Sequence, residues 1–325
     1  MAQPASKPLL SARNLSTHFP IRGGLWRKAI NHVRAVHEVS LDVFPREVVA
    51  LVGESGCGKS TLGFSLLGLT PPTSGGIELL GNPIDIKKPA AWKPFRKDFQ
   101  IVFQDPYTSL NPRLTVFELL SEPLVAHGIV PHSGLRDAAA DLLRQVGLSP
   151  DILDRFPHAF SGGQRQRLCI ARALGLKPKL LVCDEVVSAL DVSVQAQIVN
   201  LLLDLKRDHG LSLLFITHDL SLVKSICDRV LVMYLGSVVE SAPAEELFRA
   251  PRHPYTRALL DSIPTLDRNK KPKPLEGELP SASNPPPGCV FASRCPRVFD
   301  RCRIEVPQLT GDENFAVACF DPIMN

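Results

Sequence analysis

The stretch Gly53-Glu-Ser-Gly-Cys-Gly-Lys59-Ser60-Thr61 decides the fold, because it joins a short apolar strand to a helix. Val48 to Val52 predicts the buried strand, and Lys59 to Leu69 predicts the helix, which ends before two prolines. Two glycines followed by Lys and Ser are typical of a phosphate-binding loop. The backbone N–H groups of such a loop surround an anion, and the helix N-terminus adds positive potential.

This segment, called the phosphate loop below, predicts a nucleotide site. We expect its residues to line the nucleotide: Gly53, Glu54, Ser55, Gly56, Cys57, Gly58, Lys59, Ser60 and Thr61. Lys59 is expected to neutralise the β- and γ-phosphates, and the Ser60 hydroxyl to ligate Mg²⁺, which prefers oxygen. Cys57 is expected to be a small filler whose side chain faces away from the nucleotide. The loop alone does not show whether the protein is a kinase, a GTPase or another nucleotide-binding enzyme.

Outward from this loop, strands and helices alternate along the chain. Further strands are predicted at Leu9 to Thr17, Val36 to Phe44, Leu180 to Cys183, Leu213 to Thr217 and Arg229 to Met233, and helices at Val192 to Asp208 and Leu220 to Cys227. This alternation predicts an α/β fold with a mostly parallel sheet and helices on both faces. Helices alone are predicted at Thr115 to His127, Gly134 to Val146 and Gly163 to Leu176, so residues of about 105–178 are expected to form an inserted helical subdomain.

Composition excludes several classes of protein. The chain has 325 residues, 44% of them hydrophobic, which excludes disorder along its whole length. Charges or prolines interrupt every apolar run before about 18 residues, so no membrane span is expected. The first residues lack an apolar signal region, and we expect the chain to remain in the cytosol. A net charge of +4 does not favour nucleic acid as a partner. Pro20 to Arg34 is expected to be a solvated basic loop, or one that contacts lipid headgroups.

Two more motifs carry chemistry. Leu180-Leu-Val-Cys183-Asp184-Glu185 is a buried strand that ends in two carboxylates, and neighbouring side chains there point to opposite sides. Asp184 can therefore hold Mg²⁺ while Glu185 faces the attacking water. Ser161-Gly162-Gly163-Gln164, the signature segment below, precedes a helix and predicts a second anion-binding end. Because the chain has a single phosphate loop, a second anion-binding helix N-terminus is needed only if it binds the nucleotide of a partner chain.

In this order and spacing, the motifs resemble those of the ATP-binding subunits of ABC transporters. Gln104 resembles the family's Q-loop glutamine, Asp191 in Ser188-Ala-Leu-Asp191 its D-loop aspartate, and His218 in Thr217-His218-Asp219 its switch histidine. The resemblance implies an ABC nucleotide-binding domain over residues 1–263. It also implies that two cassettes pair head to tail, each ATP lying between the phosphate loop of one and the signature segment of the other.

The resemblance also implies the role of each residue. Glu185 would polarise the attacking water, His218 would contact the γ-phosphate, and Gln104 would sense Mg²⁺ and water while touching the membrane subunit. Asp191 would reach across the dimer, and the adenine would stack on Phe19, with Trp26 as the rival. One departure is Val186-Val187, where the family usually has Pro-Thr or Pro-Val. It leaves open a partner that binds ATP but hydrolyses it poorly.

Further stretches resemble the oligopeptide and dipeptide importer ATPases, in particular the second of the two paired ATPases. They are Gln104 to Arg113, Pro251 to Leu259, Gly277 to Ser281 and Asn284 to Cys319. This likeness implies two transmembrane permease subunits, a second homologous ATPase in a heterodimer, and an extracytoplasmic substrate-binding protein. It places the chain peripherally on the cytoplasmic face of the inner membrane. Nickel importers share much of this pattern. A soluble ABC protein acting on ribosomes or DNA is the other alternative, although such proteins usually fuse two cassettes or insert a coiled coil.

Residues 264–325 are predicted to form a small extension rich in cysteine and proline. Cys289, Cys295, Cys302 and Cys319 are separated by five, six and sixteen residues. Disulfides are disfavoured in the cytosol, and the C-x-x-C spacing of a zinc knuckle is absent. From the spacing alone, the four cysteines could either bind a metal or remain as buried thiols without a ligand. The resemblance favours a 4Fe–4S cluster, which would crosslink and stabilise a tail that has little apolar material.

Overall fold

The computed structural model describes residues 7–23, 28–263, 275, 277–312 and 315–324. The chain divides into two compact units, of which the first comprises the described residues of 1–92 and 216–325 and the second comprises Lys93–Phe215. Among the described residues, no helix has the length and apolarity that crossing a bilayer requires. The domain limits predicted above, at residues 263/264 and at about 105 and 178, remain predictions.

The described residues form twelve strands and ten α-helices, together with five short 3₁₀ helices. The strands are β1 Leu10–Gly23, β2 Lys28–Val43, β3 Val48–Val52, β4 Ser74–Leu79, β5 Asn82–Ile84, β6 Phe99–Val102, β7 Leu180–Asp184, β8 Ser212–Ile216, β9 Arg229–Tyr234, β10 Ser237–Pro243, β11 Thr310–Gly311 and β12 Ala316–Val317. The helices are α1 Lys59–Leu66, α2 Pro106–Ser109, α3 Val116–Ala126, α4 Leu135–Gln145, α5 Gly162–Leu174, α6 Val192–His209, α7 Leu220–Ile226, α8 Ala244–Arg249, α9 Pro254–Asp261 and α10 Asp300–Ile304.

The first unit contains an antiparallel sheet in the order β2-β1-β4-β5, which corrects part of the expected parallel architecture. The basic loop expected over residues 20–34 is also wrong, because β1 and β2 stay paired from Leu10↔Val43 to Gly23↔Lys28. Four register shifts interrupt this pairing, and exposed side chains cover much of the hairpin's far end. Bulges and exposure remove the regular alternation by which a strand is found in a sequence.

The rest of the first unit is built on a buried central strand. All five residues of β3 are buried, and β3 runs parallel to β9. Beyond β9 the strands β10, β12 and β11 follow in antiparallel order. Residues from the C-terminal tail share one core with β3 and β9, and they include Phe291, Phe315 and Val317. The tail is therefore part of the body of this unit, although the sequence suggested little apolar material in it.

The second unit carries strands β8, β7 and β6 in that order, with β6 and β7 parallel. The three predicted helices are confirmed as α3, α4 and α5, each with bounds within two residues of those expected. A capping box begins α3, in which Thr115 accepts from the Glu118 N–H and the Glu118 carboxylate accepts from the Thr115 N–H. Strand β6 was not predicted, because its four residues are too short a run to show a period.

Candidate active site

The shape of the phosphate loop depends on two glycines that no other residue could replace. A Cβ on Gly53 would lie 2.1 Å from the Met233 carbonyl oxygen, and one on Gly58 would lie 1.9 Å from that of Ala35. Gly58 also has a φ of +104°, a conformation that glycine adopts without strain. Gly56 has a φ of +79° and nothing within 4 Å of a Cβ. Gly53 and Gly58 are therefore required mainly because neighbouring backbone carbonyls lie too close for a side chain, and less because of the turn geometry.

Lys59 and Cys57 are both buried within this loop. The Lys59 ammonium donates to the carbonyl oxygens of Gly53 and Glu54, at 2.8 and 3.0 Å, and the residue is 4% exposed. The Cys57 side chain is 1% exposed, and its Sγ lies 3.9 Å from the Lys59 Nζ. Burial raises the pKa of the Cys57 thiol, an effect that Lys59 partly offsets. A protonated, buried thiol suits the filler role predicted for Cys57.

His218 lies on a short turn that follows β8. The Thr217 N–H donates to the Leu51 carbonyl of β3 at 3.2 Å, which anchors the turn beside the strand that leads into the phosphate loop. The Thr217 hydroxyl accepts from the Asp219 N–H, and Asp219 caps α7 by accepting from the N–H groups of Ser221 and Leu222. This turn leaves the His218 side chain exposed at the surface of the first unit.

Phe19 is the described candidate for the adenine stack. It lies on β1, paired with Val33 of β2, and its side chain is 42% exposed. An exposed ring face is what stacking on a base requires. Trp26, the rival predicted from the sequence, lies outside the described residues.

In the second unit, Gln104 and Glu185 meet. The Gln104 Nε2 donates to the Glu185 Oε2 at 2.8 Å, although 81 residues separate them in the chain. Glu185 follows the end of β7 with a φ of +47°, a region that costs a non-glycine residue energy. Asp184, at the end of β7, is 4% exposed. At the end of β7, the Asp184 carboxylate is therefore buried, whereas the Glu185 carboxylate points toward Gln104.

The Val186-Val187 departure lies in a well-supported turn. Val186 and Val187 are 2% and 3% exposed. The Ser188 N–H and hydroxyl both donate to the Glu185 carbonyl, at 3.1 and 2.9 Å. The Gln195 amide donates to the Val187 carbonyl at 2.9 Å. Burial and side-chain hydrogen bonds therefore restrain a turn in which proline would otherwise limit the backbone.

The signature segment begins α5 with a capping box. The Ser161 hydroxyl accepts from the Gln164 N–H at 3.4 Å, and the Gln164 side chain accepts from the Ser161 N–H at 3.1 Å. Gly163 is required by close packing, because a Cβ there would lie 2.4 Å from the Val194 side chain. A cavity of about 400 Å³ in this unit brings together residues that the sequence singled out separately: Gln104, Ser161, Gly162, Gly163 and Asp191.

The four tail cysteines also lie together. All four line one small cavity in the first unit, with Cys289 and Cys302 buried and Cys295 and Cys319 half-buried. The Cys289 N–H donates to the Cys302 carbonyl at 2.8 Å. Burial raises the pKa of the Cys289 thiol to about 11, and the nearby thiols of the other three add to the rise. Within the described ranges, no three His, Cys, Asp or Glu side chains are close enough to share one metal ion.

The sequence did not reveal Arg294 and Tyr255, which contact Glu54 of the phosphate loop, or Tyr234, which contacts Arg294. The Arg294 guanidinium makes two hydrogen bonds to the Glu54 carboxylate, at 2.6 and 3.0 Å. The Tyr255 hydroxyl accepts from the Glu54 N–H at 2.9 Å, and the Tyr234 hydroxyl lies 3.4 Å from Arg294. These residues lie 180 or more positions from Glu54 along the chain, so no local pattern could have found them.

A phosphate loop, a glutamine on a strand-end carboxylate and a capped signature helix together define an ABC-type ATPase. The profile of the ABC transporter family matches residues 36–188, and that of the oligopeptide/dipeptide transporter C-terminal region matches residues 239–302. The chain is 50% identical to the probable peptide ABC transporter ATP-binding protein y4tS of Sinorhizobium fredii, over 97% of this chain and 90% of the relative. It is 48% identical to the oligopeptide transport ATP-binding protein OppF of Salmonella typhimurium, over 98% of both chains. The chain therefore belongs to the ATP-binding subunits of ABC transporters.

Solved structures agree with this assignment. The cbiO1 structure from Clostridium perfringens, described as part of the ABC transporter complex cbiONQ, matches with a TM-score of 0.64 and 28% identity, over 75% of this chain and 92% of that one. The ATP-binding cassette MJ0796, described as a dimer in a post-hydrolysis state with ADP and phosphate, matches with a TM-score of 0.64 and 26% identity, over 72% of this chain and 98% of that one. The predicted α/β fold of an ABC nucleotide-binding domain is thereby confirmed, and the chain is an ABC ATPase.

Proposed function

We propose that this chain hydrolyses ATP to energise the import of peptides of the oligopeptide and dipeptide class. The observation that carries the proposal is the likeness, over nearly the whole chain, to relatives whose names state peptide or oligopeptide transport. The likeness includes the match of residues 239–302 to the C-terminal region of oligopeptide/dipeptide transporters. Nickel is the alternative cargo, and the assay below includes it.

ATP binding is assigned to residues of the first unit. Gly53 and Gly58 let the loop backbone approach the phosphates, and the N-terminus of α1 favours their negative charge. Lys59 exchanges its bonds to loop carbonyls for the β- and γ-phosphates, and Phe19 stacks on the adenine. The Ser60 hydroxyl would supply an oxygen ligand to Mg²⁺, which neutralises charge that develops on the phosphates. The role of Asp184 of the second unit as a ligand of this ion stays a prediction.

Hydrolysis is assigned to Glu185, Gln104 and His218. Glu185 orients and polarises the attacking water, while Gln104, already hydrogen-bonded to it, holds the carboxylate and senses the occupied site. His218 contacts the γ-phosphate from its exposed turn. Catalysis of this kind is mainly positioning and charge stabilisation, because the transferred phosphoryl group needs no covalent partner in the protein.

The signature segment and Asp191 are assigned to a second cassette. They line one cavity of the second unit. We infer that the chain works as one half of a head-to-tail heterodimer with a second homologous ATPase. Two permease subunits would span the inner membrane, with this chain bound to their cytoplasmic face. An extracytoplasmic protein would supply the peptide.

The partners are tested by affinity purification of the tagged chain from detergent-solubilised membranes, followed by mass spectrometry. The proposal expects two permeases and a second cassette. A matched Lys59→Ala chain should recover the same partners, because it alters nucleotide binding and not the docking surface. Recovery from the soluble fraction alone, or with ribosomal proteins, contradicts the transporter. Uptake of labelled di- and oligopeptides, compared with Ni²⁺, by the reconstituted complex tests the cargo.

We also propose that Cys289, Cys295, Cys302 and Cys319 hold a 4Fe–4S cluster. The four side chains line one small cavity, and four cysteine thiolates are the ligand set of such a cluster. The cluster would fix the fold of the tail, where Cys289 and Cys302 are already joined through their backbones.

The cluster is tested on the full chain purified without oxygen. We expect about four irons and four sulfides per chain, and broad visible absorption. Cys302→Ala should lose both, while Cys169→Ala in α5, also buried but far along the chain, should keep them. Iron below one per chain in the wild-type protein, after anaerobic purification and reconstitution, contradicts the proposal.

A further inference from the structure

The C-terminal tail reaches the phosphate loop through one side chain. Arg294, which precedes Cys295, makes a two-pronged ion pair with Glu54, the second residue of the phosphate loop. Two parallel N–H···O bonds of this kind fix orientation as well as distance, because a guanidinium and a carboxylate are both planar. The contact spans 240 residues of sequence.

The ion pair between Arg294 and Glu54 is largely buried and is surrounded by aromatic residues. The Arg294 side chain is 4% exposed and that of Glu54 is 28% exposed. On one side, the Tyr255 hydroxyl accepts from the Glu54 N–H, so the same residue is held by backbone and side chain. The Tyr234 ring packs against Tyr255 and Phe291, at centroid distances of 4.6 and 5.2 Å. A rigid aromatic cluster therefore joins the tail to the loop.

The two exposed charged pairs of the tail differ from this one. Arg297 and Asp321 form an ion pair of similar length, 2.6 Å, but their side chains are 44% and 51% exposed. Arg301 and Glu305 are paired within one helix turn and are also exposed. Exposed pairs of this kind contribute little to stability, whereas an interrupted buried pair leaves a charge without compensation. Of these three ion pairs in the described part of the tail, that of Arg294 is the one that reaches the phosphate loop.

We propose that Arg294 is a positioning residue for ATP: its hold on Glu54 keeps the phosphate loop in the shape that binds nucleotide. Without it, the Glu54 carboxylate is free to turn toward the phosphates, whose negative charge it repels, while the Glu54 N–H keeps its hydrogen bond to Tyr255. The C-terminal tail thereby becomes part of the nucleotide site. This inference rests on ATP binding at the loop and holds whether or not the cysteines carry a cluster.

The experiment measures the equilibrium affinity of the purified full chain for a fluorescent ATP analogue. We expect Arg294→Met to weaken binding about tenfold, within the range of coupling between contacting residues. Arg294→Lys keeps the charge but loses the two-pronged geometry, and should weaken binding by a smaller factor. Arg297→Met is the matched control in the same tail and should bind as the wild type does.

Two further readouts separate positioning from a general structural role. In the assembled transporter, Arg294→Met should raise the KM for ATP while kcat at saturating ATP changes little. Combining it with Glu54→Gln should weaken binding no more than Arg294→Met alone, because both variants break the same contact. Wild-type affinity in both the Met and Lys variants overturns the proposal. A lower melting temperature with unchanged ATP affinity also overturns it, since the role would then be structural only.

Discussion

The phosphate loop and the four-cysteine site differ in how each is encoded. The loop is nine successive residues that run from the end of β3 into the first turn of α1, and its glycines, lysine and serine form a recognisable sequence motif. The cysteines are separated by up to sixteen residues, and they lie together because β11, β12 and buried aromatic side chains attach the tail to the body. A local site can therefore be predicted from its pattern, whereas a site built by tertiary packing can only be suggested.

The comparison also shows that the contiguous site is not self-contained. The loop takes its shape from the carbonyl oxygens of Met233 and Ala35 and from Arg294. In return, the aromatic core under the tail includes residues of the α/β body, with Tyr234 on β9 and Tyr255 on α9. The tail is consequently expected to contribute to the stability of the whole first unit.

The largest expected effect is on that stability. Phe291→Ala removes a ring that is 1% exposed and packs against Tyr234, Tyr255 and His253. We expect a loss of about 3–5 kcal/mol in the free energy of unfolding. Phe299→Ala, whose side chain is 42% exposed, is the control and should cost under about 1 kcal/mol. Urea unfolding of the full chain measures both. Equal, small effects would show that the tail is a separate appendage.

The next effect concerns the glycines of the loop. Gly58→Ala introduces a methyl group 1.9 Å from a carbonyl oxygen at a φ of +104°, so the loop or β2 must move. We expect a loss of at least about 3 kcal/mol in ATP binding, or about a hundredfold in Kd. Gly56→Ala has open space around the new methyl and should cost about 1–2 kcal/mol, from backbone strain alone. Titration calorimetry measures the ATP affinity of both variants. A larger loss of affinity in Gly56→Ala than in Gly58→Ala would contradict the described loop geometry.

A smaller effect is expected at the adenine. Phe19→Leu keeps an apolar side chain but removes the ring face, and should weaken ATP binding by about 1 kcal/mol, or about fivefold. Phe19→Trp should bind at least as well as the wild type, because stacking needs only an aromatic surface. If leucine and tryptophan variants bind ATP equally, the adenine lies elsewhere and the Trp26 alternative gains support.

The smallest effect is expected at Cys57. Burial raises the pKa of this thiol, which therefore stays protonated and unreactive near neutral pH. Cys57→Ala should change ATP affinity and hydrolysis by no more than about twofold, as for a small apolar filler. Modification by a thiol reagent in the native protein, with loss of ATP binding, would show instead that the side chain is accessible within the nucleotide site.

The successes and failures of sequence-based prediction follow the same division. Strand β3 and helices α3 to α6 were predicted within a few residues, because each is a regular run bounded by glycine, proline or a cap. The far half of the β1–β2 hairpin was missed, since register shifts and exposed side chains hide its period. Glu185 was predicted from the two carboxylates at a strand end and Gln104 from family likeness, but their hydrogen bond spans 81 residues and required the structure. Arg294 carried no local signal at all.

The measurement that tests the central claim most directly is ATP hydrolysis by the assembled complex, reconstituted with wild-type chain or with Glu185→Gln. The substitution keeps the side chain's size and its contact with Gln104 but removes the charge that polarises water. We predict a fall of about a hundredfold or more in kcat, with ATP binding retained. Equal hydrolysis by the two complexes would contradict the account and would mark this chain as the cassette that binds ATP without hydrolysing it.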